Sequence, residues 1–307
     1  MLNHHAKVIV NPMSSGGITR LKWPRIERLL TKSGLKFDCD FTEMPGHATQ
    51  IARQAAANGY ELVMSVGGDG TVHEVVNGLI DSSGKSKTTL GVISAGTGND
   101  FARSIGILGA YRKTTGQLAM AAKKTIDVGR VECTKDGKRK QRIFINMAGV
   151  GFDAAVLKAT KDRFRVVSSI PYWISGIYTS LRYKAKNMTI SIDGKASNKR
   201  ALGVIINNGA SFAGGMRLSP WADLADGVLD AVVLGDINAI GFIKGLAMAY
   251  KGTLKNHPKV DMHKVKTIEV SSKEQLYIEA DGELLGTSPA KFIVLPQALQ
   301  VAVYNAS

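Results

Sequence analysis

Apolar runs of strand length alternate with amphipathic stretches of helix length through residues 1–126. Lys7–Val10, Phe37–Thr42, Leu62–Val66 and Leu90–Ser94 read as strands. Arg20–Lys32, His47–Asn58 and Thr71–Leu79 read as helices, the first with Leu21, Ile26, Leu29 and Leu30 on one side. Strands separated by helices predict an α/β domain over residues 1–126, built on a parallel sheet with helices on both faces. Sheets of this kind bind ligands beyond the carboxyl ends of their strands.

After Thr125 the pattern changes. Strand-like runs become frequent, at Ile126–Glu132, Arg142–Met147, Thr189–Asp193, Leu202–Asn207, Val228–Leu234, Thr267–Ser271, Leu276–Ala280 and Leu299–Tyr304. Turn residues separate them, which predicts a mainly antiparallel β-sandwich over residues 127–307. Helical stretches interrupt it at about Asp153–Lys161, Tyr172–Arg182 and Ala239–Leu254. Two domains with a cleft between them is the economical arrangement, and the chain shows no internal repeat.

Three N-terminal strands run into glycine- or proline-rich turns: Asn11-Pro12-Met13-Ser14-Ser15-Gly16-Gly17, Gly67-Gly68-Asp69-Gly70-Thr71, and Gly96-Thr97-Gly98-Asn99-Asp100. Glycine lets the backbone approach a phosphate closely, and a helix start supplies unpaired N–H groups and a positive dipole. A tight turn capped by Asp69 or Thr71 would explain one such loop. Three at one end of a parallel sheet predict a shared phosphate-binding rim. No Gly-Lys-Ser/Thr follows, so this is not a Walker A loop. Asp69 could face a phosphate only across a cation or a ribose hydroxyl. Farther on, Asp281 and Glu283 stand two residues apart, and on an extended segment both carboxylates would share one face. The Asp281-Gly282 pair is also a hairpin signal.

Together these motifs resemble the diacylglycerol kinase catalytic family, in its bacterial soluble branch of lipid kinases related to sphingosine kinases. Asn-Pro-x-Ser from Asn11, Gly-Gly-Asp-Gly-Thr from Gly67 and Gly-Thr-Gly-Asn-Asp-Phe-Ala-Arg from Gly96 come first. Asn146 to Asp153, Gly214 through Asp230, and Ala280-Asp281-Gly282-Glu283 continue the family order over essentially the whole chain. Ser94 stands where the family commonly has proline. The resemblance implies ATP on the N-terminal domain, contacted by Asn11, Pro12, Met13, Ser14, Ser15, Thr42, Gly67, Gly68, Asp69, Gly70, Thr71, Val72, His73 and Thr97. Its γ-phosphoryl would pass to a lipid hydroxyl in the cleft, most simply from ATP and diacylglycerol to phosphatidic acid. Phosphoryl transfer of this kind needs positioning and charge neutralisation more than covalent chemistry. Glu283, or Asp281 acting with it, would take the hydroxyl proton as general base. A structural Mg²⁺ is implied at Asp226, with carbonyls at Asp223 and Val228. The family also includes homodimers.

Apolar residues make up 44% of the chain and charged residues 21%, which excludes a disordered chain. The net charge of +15 implies an anionic partner. Residues 130–200 concentrate it, with 16 Lys and Arg against five Asp and Glu. Their basic runs flank an aromatic segment containing Tyr172, Trp173, Tyr178 and Tyr183, a pattern suited to an anionic membrane surface. Nucleic acid is disfavoured, because no nucleic-acid-binding motif accompanies the charge. Cys39 and Cys133 stand far apart and suggest packing residues in a reducing cytoplasm. Val166–Tyr183, broken by Pro171 and four serines, makes a poor spanning helix, so peripheral membrane association is expected. Two rivals share these features: a NAD kinase, and a nucleotide- or membrane-binding protein without turnover. NAD kinases carry an Asn-Glu pair where this chain has Asn99-Asp100, and Asp69, Asp281 and Glu283 argue for turnover.

Overall fold

The computed structural model describes residues 5–96, 98–107, 122–163, 172–212 and 215–303. The expectations resting on Thr97, Gly214 and residues 164–171 lie outside the described residues, as do the side chains of Tyr172 and Trp173. The chain divides into two units, Met1–Val128 with Leu295–Ser307, and Gly129–Val294.

The first unit runs β1 (Ala6–Val10), α1 (Ile18–Lys32), β2 (Phe37–Phe41), α2 (His47–Ala57), β3 (Leu62–Gly67), α3 (Asp69–Leu79), β4 (Thr89–Ser94) and the short α4 (Asp100–Ser104). Strand β1 pairs in parallel with β2 and β3, and β3 with β4. The central strands read as unbroken apolar runs because both of their faces are covered: every residue of β3 is buried. Strand β2 pairs only at the sheet edge and is correspondingly half-buried.

A strand from much later in the chain completes this sheet. β14 (Glu283–Val303) ends with Val301 paired in parallel to Leu90 of β4. Leu299, Val301 and Ala302 are fully buried there. The expected second domain, residues 127–307, therefore gives up its last segment to the first unit. Only the burial of these apolar side chains beside β4 decides that membership.

The second unit contains the second half of β5 (Ala122–Lys135), whose first half belongs to the first unit, then β6 (Lys138–Phe144), β7 (Met147–Gly151), α5 (Phe152–Arg163), α6 (Tyr172–Ser180), β8 (Lys186–Ile192), β9 (Lys195–Asn207) and β10 (Leu229–Gly235). It continues through α7 (Ala239–Lys251), β11 (Val260–Val265), β12 (Thr267–Ser271), β13 (Tyr277–Ala280) and the first part of β14. Its pairings are antiparallel, in the order β11-β10-β9-β7-β13-β14, with β8 joining β9 to β12.

Period-two alternation splits the side chains of β7, β9 and β10 between two cores. Ala148, Val150, Val204, Ile206, Ala231 and Val233 enter a core made by strands. Met147, Leu202, Ile205, Val232 and Leu234 enter a second one, which α5 and α7 join through Phe152, Val156, Phe242 and Ala249. Among the described residues no helix is long and apolar enough to cross a membrane.

Candidate functional site

Three glycine-rich turns of the first unit sit at the carboxyl ends of β1, β3 and β4, and hydrogen bonds and close packing tie them together. Asn11 Nδ2 donates to Thr71 Oγ1 at 3.1 Å, linking the first turn to the second. A methyl group on Gly67 would lie 2.4 Å from that same Thr71 oxygen, so only glycine leaves the contact intact. One on Gly96 would lie 2.5 Å from the Cα of Gly68, which shows how closely the second and third turns approach. Gly68 in turn has Ser14 Oγ beside it. Positive φ at Ser15, Gly16 and Gly17 folds the first turn back before α1 begins.

Asp69 settles where its charge goes. Its Oδ1 accepts the Phe101 N–H at 3.1 Å, so it caps α4 across the rim. Asn99, itself left-handed with φ 54°, donates from Nδ2 to Gly96 O at 3.0 Å and closes the third turn. Asp100 pairs with Arg103 at 2.9 Å. Thr42 is buried at the end of β2, where its N–H donates to Val10 O. Val72 and His73 are also buried, so neither presents its side chain openly to solvent. Pro12 and Ser14 are half-buried, while Met13 is exposed.

In the second unit the chain reverses at Asp281-Gly282, where both residues have positive φ, 45° and 82°. This two-residue hairpin joins β13 to β14. The extended geometry that would place Asp281 and Glu283 on one face is therefore absent, and the two carboxylates meet different partners. Asp281 Oδ2 accepts the Ile145 N–H at 2.8 Å, and its Oδ1 accepts those of Asn146 and Met147 at 3.0 Å. It serves as an anchor for the backbone between β6 and β7. This same junction breaks the expected single strand Arg142–Met147 into two. Glu283, with its side chain about one-third exposed, faces cations: Arg142 Nη2 lies 2.9 Å and Lys140 Nζ 3.7 Å from its carboxylate.

Glu279 lies beneath this turn, and sequence reasoning missed it. It is 2% exposed, and its Oε2 accepts the Gly282 N–H at 2.9 Å. Burial first, and then the neighbouring Asp153 carboxylate, push Glu279 well above the ordinary carboxylate range. Its position inside the apolar strand Tyr277–Ala280 was the one signal available, since a glutamate there cannot be an ordinary surface residue. Glu74 was also missed. Its carboxylate accepts the Gly46 and Ala48 N–H groups at 2.9 and 3.2 Å, capping α2 from α3.

Asp223, Asp226 and Val228 share one loop between Met216 and β10. Asp226 Oδ1 accepts the Val228 N–H at 3.3 Å, and Oδ2 holds the Lys264 ammonium at 2.6 Å. Asp223 Oδ1 turns back onto the Ala225 N–H. The hydrogen bond to Asp226 raises the Lys264 pKa. Among the described residues no group of three or more His, Cys, Asp or Glu is arranged to hold a metal.

Much of the basic charge between residues 130 and 200 is paired within the second unit. Arg139 bonds Glu132, Lys199 lies 2.7 Å from Asp261 and Arg200 2.8 Å from Asp236. Lys135 and Lys138 remain on the surface at the β5–β6 hairpin. The cysteines are packing residues: burial raises both thiols, Cys39 to about 12.

Residues 5–131 match the diacylglycerol kinase catalytic domain family, and residues 146–303 the YegS C-terminal NAD kinase beta sandwich-like domain family. Proteins named diacylglycerol kinase from Staphylococcus aureus strains JH9 and Newman are 32% identical over 305 residues, covering 99% of this chain and 94% of theirs. The chain belongs to the diacylglycerol kinase family. It is thus a diacylglycerol kinase-like enzyme with a β-sandwich-like C-terminal domain. Two solved structures of candidate diacylglycerol kinases from Bacillus anthracis str. Sterne share the fold, at TM-scores of 0.81 and 0.80 and identities of 24% and 23%. Each covers 99% of this chain, and the chain covers 96% and 98% of them.

Proposed function

We propose that this kinase transfers the γ-phosphoryl of ATP to the hydroxyl of diacylglycerol, releasing ADP and phosphatidic acid. The observation that carries the reading is the contact between Gly68 and Gly96, which gathers three glycine turns at one end of a parallel sheet. Backbone N–H groups on such turns suit the polyphosphate of a nucleotide. Asn11, Ser14, Gly67, Gly68, Gly70 and Thr71 are the contacts of choice, with Thr42 toward the adenosine. Asp69 acts by holding the rim to α4.

Glu283 is the general base in this reading. Asp281 already accepts three backbone amides and positions the β6–β7 junction, whereas Glu283 is partly exposed and oriented by Arg142 and Lys140. It would take the hydroxyl proton as the oxygen attacks phosphorus and the bond to the ADP oxygen breaks. The lipid would come from an anionic membrane surface met by the basic second unit.

Incubation with γ-labelled ATP, NAD and mixed lipid micelles tests the assignment. Label is expected in the organic phase as phosphatidic acid. Label in NADP, or none in any acceptor, overturns it.

A further inference from the structure

Alternation along β13 sends Ile278 and Ala280 into the core made by strands and turns Glu279 to the other face of the sheet. Directly across the ladder from Glu279 stands Gly149 of β7. A methyl group on Gly149 would lie 2.6 Å from Asp153 Oδ2, so the Asp153 carboxylate occupies the room a side chain there would need. Glycine at 149 thus seats one buried carboxyl group beside another. Two such groups cannot both keep their charge away from water. Asp153 lies in the first turn of α5, where the helix dipole favours its anion. The proton therefore belongs to Glu279, which burial and the Asp153 charge push upward. Its place is Oε1, because Oε2 accepts the Gly282 N–H at 2.9 Å and no donor among the described residues reaches Oε1.

Glu279 then donates to Asp153 from one oxygen and accepts from Gly282 with the other, which ties α5 to the turn between Asp281 and Glu283. That turn depends on hydrogen bonds more than on packing. Asp281 is held by three backbone amides, whereas open space lies where a side chain on Gly282 would stand. Glu279 restrains the side of the turn that leads into Glu283. We propose that Glu279 is a positioning residue for phosphoryl transfer: from its seat beside Asp153 it holds the Gly282 N–H and so fixes the turn that presents Glu283 to the acceptor hydroxyl. Placement of this kind matters to rate, since a shift of about 1 Å at a reacting group can cost about 10²-fold.

The proposal rests on the reading of Glu283 as general base, and its test separates the two. Phosphatidic acid formation by the full-length protein is measured with labelled ATP and diacylglycerol in mixed micelles. Glu279→Met, close in length but unable to donate to Asp153 or to hold the Gly282 N–H as a carboxyl oxygen does, is expected to lower kcat about ten- to a hundredfold with the KM for ATP unchanged. Glu279→Gln is expected to restore most of that loss, because its amide accepts from Gly282 and donates to Asp153 as the protonated acid does. In a Glu283→Gln background, Glu279→Met is expected to cost little more, since no base is left to position. Wild-type kcat in Glu279→Met, no recovery in Glu279→Gln, or the same fold loss with and without Glu283 overturns this proposal and leaves the base reading standing. Wild-type turnover in Glu283→Gln overturns both. If Glu279→Met loses cooperative thermal unfolding, Glu279→Asn, an amide one methylene shorter, replaces it with the same outcomes.

Discussion

Two carboxylates two residues apart in sequence have different surroundings here, because the Asp281-Gly282 turn sends them to different neighbours. Glu283→Gln should retain ATP binding and lose turnover by roughly 10²- to 10⁴-fold, the usual worth of a positioned base. Equilibrium binding of a nucleotide analogue beside a steady-state assay checks both halves. Asp281→Asn should instead lower thermal stability, since an amide cannot accept from three backbone N–H groups as the carboxylate does. Glu279 carries a pH signature. Its folded pKa is raised, so the stability it contributes is fully present below the unfolded value near 4.5 and is lost as pH rises toward the folded one. Melting temperature should fall as pH rises through that window, and Glu279→Gln should flatten the profile. An equally steep decline in the variant would assign the effect elsewhere.

Helices and strands of the first unit were largely legible from apolar periodicity, because each central strand is a short unbroken run buried on both faces. β14 was not legible beyond its last residues. Gly286, Ser288, Pro289 and Pro296 punctuate it as a loop would, and only its partners β13, β12 and β4 hold those residues extended. Capping from a distance was hidden as well. Glu74 caps α2 and Asp69 caps α4 from positions 26 to 32 residues away, a separation no local motif records. Glu74→Ala should cost about 1–2 kcal/mol, near the upper range for a lost cap because two N–H groups are orphaned. Chemical denaturation with an unchanged m-value would show it.

Charge belongs to the scale of the molecule. The +15 of the chain is not a uniformly exposed field, since Arg139, Lys140, Arg142, Lys199 and Arg200 all lie against carboxylates. Lys135 and Lys138 are better placed to meet an anionic surface. Their joint reversal to Glu should lower binding to phosphatidylserine vesicles by more than about tenfold, at roughly 1 kcal/mol per cation removed. Co-sedimentation at two salt concentrations measures this, and an effect absent at both would place the membrane contact on another face.

The order of the elements, the glycine turns and the carboxylate pair were all readable in the chain, because backbone strain and apolar periodicity act over a few residues. Tertiary contact decided the rest. It made Asp281 an anchor and left Glu283 among cations, and it set Lys264 against Asp226. It returned the end of β14 to the first unit and buried Glu279 beside Asp153. Each outcome depends on which groups meet across long separations, and a carboxylate takes its role from the donors, cations and burial that folding brings to it.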